Sequence, residues 1–258
     1  MVNKRGQLTI FVILAIIIFV LGILLYMFYP EVSGFFGGGE ENPTRFIQSC
    51  IDENDKFEKV VQTISLQGGS MNPQHYVFYK NTNIEYLCYT NEDYNTCVVQ
   101  QPMLDSHIES EIEKELSDEV DVCFDKLEDS FKKRGYIVNL KRGINDVELL
   151  PDKIVFTFNN SLTLTKQDTK EYGSFVITLN NNLYELVSMA NSIISSETVY
   201  GDAETTTYMN YYHDKKVEKT KLSDGTAVYV ISERNTGNKF QFASRSLTWP
   251  PGYGGSGK

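Results

Sequence analysis

Four cysteines are the residues of this sequence whose type and spacing most clearly allow chemistry, either as disulfides or as zinc ligands. Cys88 and Cys97 flank the polar, turn-like segment YTNEDYNT, and Cys50 and Cys123 each lie on the apolar stripe of a predicted helix. Among the three pairings that four cysteines allow, these positions favour disulfides 88–97 and 50–123. A zinc site is the alternative, although C-x2-C spacing does not occur and the histidines are scattered.

The sequence contains no pattern that predicts catalysis. Neither G-x-S-x-G nor H-E-x-x-H occurs, and His75, His107 and His213 have no recognisable partner spacing, so we expect His107 to be a solvated helix residue. Residues 252–258 match G-x-x-x-x-G-K, but a phosphate-binding loop needs a strand before it and a helix after it. Apart from the zinc alternative, we predict no catalytic residue, cofactor or metal, and we predict a flexible tail over 248–258.

The charge distribution argues against nucleic acid as a partner. Acidic residues outnumber basic ones by 34 to 24, the formal net charge is -10, and no basic patch of the kind that binds phosphates occurs. The acidic run at 109–121 lacks the glycine and alternating aspartates of a calcium loop, so it predicts the solvated face of an amphipathic helix. Asn159 begins the sequence N-N-S at a predicted turn and is a candidate glycosylation site.

The N-terminal sequence predicts a membrane segment. Residues 8–28 are almost entirely apolar and uncharged, and at about 1.5 Å per residue they match a hydrocarbon core about 30 Å thick. Lys4 and Arg5 precede this stretch and acidic residues follow it, so the positive-inside rule puts the N-terminus in the cytoplasm. We therefore expect a transmembrane helix over 7–29 in the cell membrane, with the lipid bilayer as a partner and the C-terminal domain extracellular.

Residues 4–10, KRGQLTI, resemble the class III signal of archaeal type IV pilins and archaellins. This resemblance implies cleavage between Gly6 and Gln7, after which the hydrophobic helix would pack in a filament core. The sequence departs from that pattern at Phe11, where many pilins carry glutamate, and at Pro30, which interrupts the helix before the head. A pilin-like subunit, cleaved after Gly6 and assembled into an extracellular filament, is therefore the alternative function.

A second resemblance extends beyond the N-terminal segment. The basic-Gly-Gln start, Ser49-Cys50 in the next predicted helix and Gln67-Gly68-Gly69 after it are similar to features of a group of uncharacterised archaeal single-pass membrane-anchored surface proteins. The resemblance implies a membrane anchor and an extracellular head, and it implies no activity.

Composition divides the chain into five parts: a basic leader (1–6), the transmembrane helix (7–29), a glycine-rich linker (30–41), an extracytoplasmic domain (42–247) and the tail (248–258). Within the domain, apolar spacing of three and four residues predicts helices over 43–67, 106–134 and 182–194. Residues 75–101 are predicted to form short strands or a hairpin, and alternation predicts strands within 136–180. Further strands are predicted at 205–212, 226–233 and 238–247, with Asp224-Gly225 as a hairpin turn. The predicted fold class is α+β, a mostly antiparallel sheet with about three packed helices.

These observations favour a function in binding other molecules rather than in catalysis. Tyr208, Tyr211 and Tyr212 cluster on a predicted strand, where interface contact and buried packing are equally compatible with the sequence. We expect a membrane-anchored cell-surface protein of structural or interaction type, not an enzyme, with a disulfide-stabilised head that binds a protein partner or another copy of itself.

Overall fold

The structure is a computed structural model that describes residues 42–250. The described residues from Pro43 onward belong to one compact unit. The predicted leader, transmembrane helix and linker lie outside the described residues, as does most of the predicted tail. The same holds for the residues assigned to topology and cleavage, which are Lys4, Arg5, Gly6 and Gln7.

The described part of the chain contains five helices: α1 (Pro43–Asp52), α2 (Asp55–Leu66), α3 (Leu104–Lys133), α4 (Leu183–Tyr200) and α5 (Thr205–Tyr211). Asn54 separates α1 from α2 and caps α2, because its side chain accepts a hydrogen bond from the Lys56 backbone N–H at 3.1 Å. The 30-residue α3 buries an apolar stripe at three- and four-residue spacing, from Leu104 to Phe131.

The largest sheet has six strands: β1 (Tyr76–Tyr79), β2 (Thr82–Tyr89), β3 (Val98–Val99), β10 (Lys215–Lys221), β11 (Thr226–Glu233) and β12 (Lys239–Arg245). Its order is β1-β2-β12-β11-β10, with β3 paired to β2. The β2–β12 pair is parallel, and the other pairs are antiparallel. Asp224 and Gly225 lie in the hairpin turn between β10 and β11, as the sequence predicts.

Two smaller antiparallel sheets occupy the middle of the chain. One has the order β4-β7-β8 and the other β5-β6-β9. The strands are β4 (Ile137–Lys141), β5 (Asn145–Leu150), β6 (Lys153–Phe158), β7 (Ser161–Thr165), β8 (Thr169–Tyr172) and β9 (Phe175–Asn180).

The main core lies between the helices and the sheets. Helices α2 and α4 pack against β12, and α3 packs against β5, α1 and α2. Edge-to-face aromatic pairs connect these layers: Phe57 of α2 meets Phe156 at 5.7 Å between ring centroids, and Phe124 of α3 meets Phe175 at 5.1 Å. A second, smaller cluster of buried residues, including Ile84, Tyr86 and Val228, lies on the large sheet outside the main core.

The predicted fold class is correct in being α+β but wrong in the number and type of its elements. Residues 42–250 form five helices rather than about three, and three sheets rather than one. None of these five helices is long and apolar enough to cross a membrane.

Three local predictions are also corrected. The helix predicted over 43–67 is two helices, because the chain turns at Asn54. The strand predicted over 205–212 is helix α5, since the Glu204 side chain accepts a hydrogen bond from Thr206 N–H at 3.2 Å and Tyr208 packs on the core. Helix α3 begins two residues before Ser106, without a side-chain cap.

Candidate functional site

The Cys50–Cys123 disulfide joins α1 to α3. The two residues are 73 positions apart in sequence, and their Cα atoms are 5.9 Å apart. Cys123 is buried on the apolar stripe of α3, and Cys50 packs against the same core. This pairing is one of the two that the sequence favours, and it fixes α1 to the longest helix of the domain.

The Cys88–Cys97 disulfide closes the loop between β2 and β3, with Cα atoms 5.3 Å apart. It is the second pairing that the sequence favours. Because both disulfides use all four cysteines of the chain, no thiol remains for the zinc alternative. Among residues 42–250, no group of three or more acidic, histidine or cysteine side chains is placed to hold a metal ion.

Four exposed apolar residues lie in or beside the loop closed by Cys88 and Cys97, or on the segment hydrogen-bonded to it; we call Tyr94, Val98, Leu247 and Trp249 the aromatic platform. Their exposed fractions are 50%, 67%, 38% and 61%, respectively. The Tyr94 and Trp249 rings meet edge to face, with 5.1 Å between centroids and an interplanar angle of 86°. These two aromatic residues are 155 positions apart in sequence, and their side chains form one surface.

Main-chain contacts hold the aromatic platform in place. Tyr94 N–H donates to the Thr248 carbonyl at 2.9 Å, and Leu247 N–H donates to the Asn95 carbonyl at 2.8 Å. The Thr248 hydroxyl donates to Asp93 at 2.9 Å. Thr248, which the sequence assigns to the tail, is therefore buried and bridged to the loop.

Two of the platform residues have a strained backbone. Tyr94 has φ 64° and Leu247 has φ 46°, in the left-handed region that large side chains rarely adopt. Each such residue costs about 1–3 kcal/mol and persists only where the surrounding contacts fix it. Arg245 supplies one such contact, since its guanidinium donates to the Thr90 carbonyl at 2.6 Å. The platform is thus strained, anchored and exposed, a combination typical of ligand contacts.

A partly buried polar cluster forms where Ser70, Glu85, His107 and Glu111 meet, and Ser70 and Glu85 are its buried members. The Ser70 hydroxyl donates to the Glu85 carboxylate, and His107 Nε2 lies 2.9 Å from the same hydroxyl oxygen. The Glu111 carboxylate accepts a hydrogen bond from the Met71 backbone N–H at 2.9 Å. His107 is thus a member of this cluster, contrary to the solvated position that the sequence predicts.

Burial raises the pKa of the Glu85 carboxyl above its ordinary value, and the Ser70 hydrogen bond and the nearby His107 oppose that effect. Gly68 makes the burial possible, because its φ is +91° and a Cβ there would lie 2.9 Å from the Glu85 Cβ. Only glycine lets the chain after α2 approach β2 this closely.

The Ser70 cluster does not form a serine nucleophile. Histidine must accept the serine proton in such a site, with the carboxylate on the far side of the imidazole. Here the Ser70 hydroxyl donates its hydrogen bond to Glu85, so the serine oxygen can only accept from His107. No short motif predicts this cluster, because Glu85 and His107 are 15 and 37 positions from Ser70 in sequence.

Two further buried ionic groups stabilise the large sheet. The Lys215 ammonium pairs with Glu233 and, at 2.5 Å, with Asp214. On the same sheet the Tyr229 hydroxyl donates to Glu197 of α4, and burial raises the pKa of that tyrosine. Both groups join neighbouring elements, and Lys215, Glu233, Tyr229 and Glu197 are buried, so we assign them to the fold.

The remaining residues named by the sequence lie apart from the platform. The Asn159 amide nitrogen, the atom that would carry a glycan, donates to the Ile144 carbonyl at 3.1 Å in the turn between β6 and β7. His75 lies against Tyr86 and Tyr89, and His213 Nδ1 is 3.3 Å from the Met209 carbonyl. Of the three clustered tyrosines, Tyr208 is partly buried in the core, and Tyr211 and Tyr212 are exposed on and after α5.

The chain matches no protein-family model, no curated protein and no solved structure.

Proposed function

We propose that residues 42–250 are the extracytoplasmic binding domain of a membrane-attached cell-surface protein, and that the aromatic platform binds a partner protein. The observation that carries this proposal is the fixed, exposed pair of Tyr94 and Trp249 on a disulfide-closed loop. The interaction function follows from this surface, and the location follows from the cysteines and the N-terminal sequence.

Two disulfides support an oxidising compartment, since cytosolic proteins keep their thiols reduced. The apolar sequence at 8–28 supports attachment to a membrane, and Lys4 and Arg5 support a cytoplasmic N-terminus. Under this proposal the binding domain faces the outside of the cell.

The composition of the platform supports protein binding. Tyrosine and tryptophan are enriched at protein interfaces, and a few such residues supply most of the binding free energy. The contacts between Asp93 and Thr248 fix the backbone segments that carry Tyr94 and Trp249, so binding has little backbone motion left to restrict there.

Charge favours a partner other than a second copy of the chain. The chain carries a net charge of -10, and acidic Glu92 and Asp93 lie in the loop that presents the platform. Two copies would repel each other, whereas a neutral or basic surface would not. We therefore propose a partner with an apolar pocket that is neutral or basic at its rim.

Photo-crosslinking on producing cells tests the proposal. The photo-reactive amino acid p-benzoylphenylalanine replaces Val98, which is exposed in the platform, or, as a matched control, Val176, which is exposed on β9. Before irradiation, intact cells are treated with an amine-reactive biotin reagent that does not cross membranes. We expect biotin on the domain and a single crosslinked partner from position 98 that is absent from position 176.

Three outcomes contradict the proposal. Protection of the domain from biotin would place it inside the cell. Equal crosslinking from both positions, or none from position 98, would remove the platform as the binding surface. A crosslink between two copies of this chain would favour self-association and the pilin-like alternative.

A further inference from the structure

A polar groove lies away from the aromatic platform, between α2, the turn from β9 to α4 and the turn from β11 to β12. Its volume is about 660 Å³, within the range of about 300–1,000 Å³ of small-molecule sites. Such sites are mostly apolar, so a polar lining indicates a polar ligand.

Carboxamide side chains dominate the polar part of the lining. They come from three different elements, and they are Gln62, Asn180, Asn181, Asn238 and Gln241. Gln62, Asn180 and Gln241 make no side-chain hydrogen bond within residues 42–250, so their amides are available to a ligand. A carboxamide offers a donor and an acceptor side by side, which suits a group that does both.

The side chains of Asn181 and Asn238 are fixed by hydrogen bonds within the fold, and each keeps one polar atom free for a ligand. Asn238 donates its Nδ2 to Asn182 at 2.7 Å, which leaves the Oδ1 of Asn238 as an acceptor. Asn182 in turn donates to the buried Glu233 carboxylate at 3.2 Å. The Oδ1 of Asn181 accepts from Leu183 N–H at 2.9 Å, which leaves its Nδ2 as a donor. One acceptor and one donor therefore stand fixed in the groove.

The charge of the groove differs from that of the whole chain. Glu58 and Lys239 are the charged residues of its lining, and their charges cancel, whereas the chain carries -10. Neither an anion nor a cation is favoured over a neutral ligand. The partly exposed apolar members of the lining, Leu66 and Leu179, offer contacts for C–H groups.

An extended peptide fits this groove less well than a polyol does. Peptides commonly bind by adding a strand to a free sheet edge. At β9 that edge is already occupied, because the Gln48 side chain accepts from Thr178 N–H and donates to its carbonyl, both at 3.3 Å. A sugar hydroxyl, by contrast, donates and accepts at once, and a sugar ring presents C–H groups.

We propose that this groove, the amide groove, is a binding site for a neutral glycan. Asn181 and Asn238 bind ligand hydroxyls from fixed positions, Gln62 and Gln241 add hydrogen bonds from the walls, and the leucines contact the ring faces. The site is independent of the aromatic platform, and an extracellular domain would meet such glycans on cell surfaces.

Calorimetric titration of the full chain, in a detergent without a sugar headgroup, tests this site. The probes are the neutral trisaccharides maltotriose, mannotriose and chitotriose, with trigalacturonic acid and hexaglycine as charged and peptide comparisons. We expect at least one neutral trisaccharide to bind, and neither comparison probe to do so. Gln62→Ala and Asn238→Ala are each expected to weaken binding about three- to tenfold, as loss of one hydrogen bond does.

Asn235→Ala is the matched control, since Asn235 is exposed in the same turn as Asn238 but is not part of the groove lining. It should leave trisaccharide binding unchanged. Gln62 is exposed on a helix, so Gln62→Ala keeps the test decisive even if Asn238→Ala disturbs the fold. The proposal fails if no neutral trisaccharide binds at about 10 mM, if Gln62→Ala binds as tightly as wild type, or if hexaglycine binds instead.

Discussion

The Cys50–Cys123 disulfide spans 73 residues and joins two packed helices, whereas the Cys88–Cys97 disulfide spans nine and lies beneath an exposed loop. The first links elements that already share a core. The second closes a segment that carries strained Tyr94 and contacts the Trp249 segment through Asp93 and Thr248. The long-range crosslink therefore chiefly stabilises the fold, while the short one chiefly shapes a surface, and each claim can be tested by removing one bond.

Removal of the long-range disulfide should have the largest effect on stability. Chain entropy gives about 4 kcal/mol for a loop of this length and about 2.5 kcal/mol for the shorter one. We therefore expect Cys50→Ala with Cys123→Ala to lower the free energy of unfolding more than Cys88→Ala with Cys97→Ala. Urea denaturation under non-reducing conditions measures the free energy of unfolding of both variants. A larger loss in the Cys88→Ala with Cys97→Ala variant would contradict the stabilising role assigned to the long-range disulfide.

Trp249→Ala should abolish most binding while leaving the fold intact. Truncation of a central interface aromatic costs about 2 kcal/mol or more, which is about a thirtyfold loss of affinity. The stability change should stay within about 0.5 kcal/mol, because the side chain is mostly exposed. The partner crosslink from position 98 reports binding, and Tyr211→Ala, exposed on α5, is the control that should retain it.

Gly201→Ala should disturb the platform by displacing Leu247. Gly201 ends α4 with φ +71°, and a Cβ there would lie 2.4 Å from the Leu247 Cβ. We expect a loss of about 1–2 kcal/mol together with weaker binding. Gly173→Ala is the control, since a Cβ added at Gly173 would have no neighbouring atom within 4 Å. Equal thermal stability of the two variants would contradict the geometry.

Glu85→Gln should change the pH dependence of stability and leave the platform unaffected. Burial raises the pKa of folded Glu85 above 4.5, so the folded state holds this proton more tightly than the unfolded state. The stability that this tighter proton binding contributes is complete at pH values below the pKa of Glu85 in the unfolded state. It is lost as the pH rises through the pKa of Glu85 in the folded state. Glutamine cannot lose a proton, so the variant should gain stability relative to wild type as pH rises above 4.5.

Denaturation curves between about pH 4 and pH 7 measure this difference. Glu53→Gln, an exposed carboxylate on the surface near α1, is the matched control and should show none of it. A constant difference between Glu85→Gln and wild type across this range would show that the pKa of Glu85 is not shifted.

The elements that sequence predicted best are those whose apolar pattern decides their structure. Helix α3 follows its stripe from Ile108 to Phe131, and β11, an almost continuously buried strand, has the predicted range 226–233. Strand β10, KKVEKTK, has one apolar residue and forms an edge of the large sheet, so alternation cannot indicate it. Helix α5 is rich in threonine and tyrosine, which favour strands, yet its cap and core contacts make it helical.

The candidate sites were predicted less completely, because they depend on contacts between distant parts of the chain. The cysteine pairings follow from local turn and stripe positions. By contrast, Tyr94 meets Trp249, and Ser70 meets His107, only after the sheet and helices have formed. The amide groove likewise draws its side chains from three separate elements.

The most direct test of the platform's role is the crosslink yield from position 98 in the two disulfide variants, measured in producing cells at a temperature where both are folded. We predict that Cys50→Ala with Cys123→Ala keeps the partner crosslink despite its larger loss of stability. We predict that Cys88→Ala with Cys97→Ala loses the crosslink while its core remains folded. Equal crosslinking by the two variants, or loss only in the Cys50 variant, would contradict the claim that the short disulfide builds the binding surface.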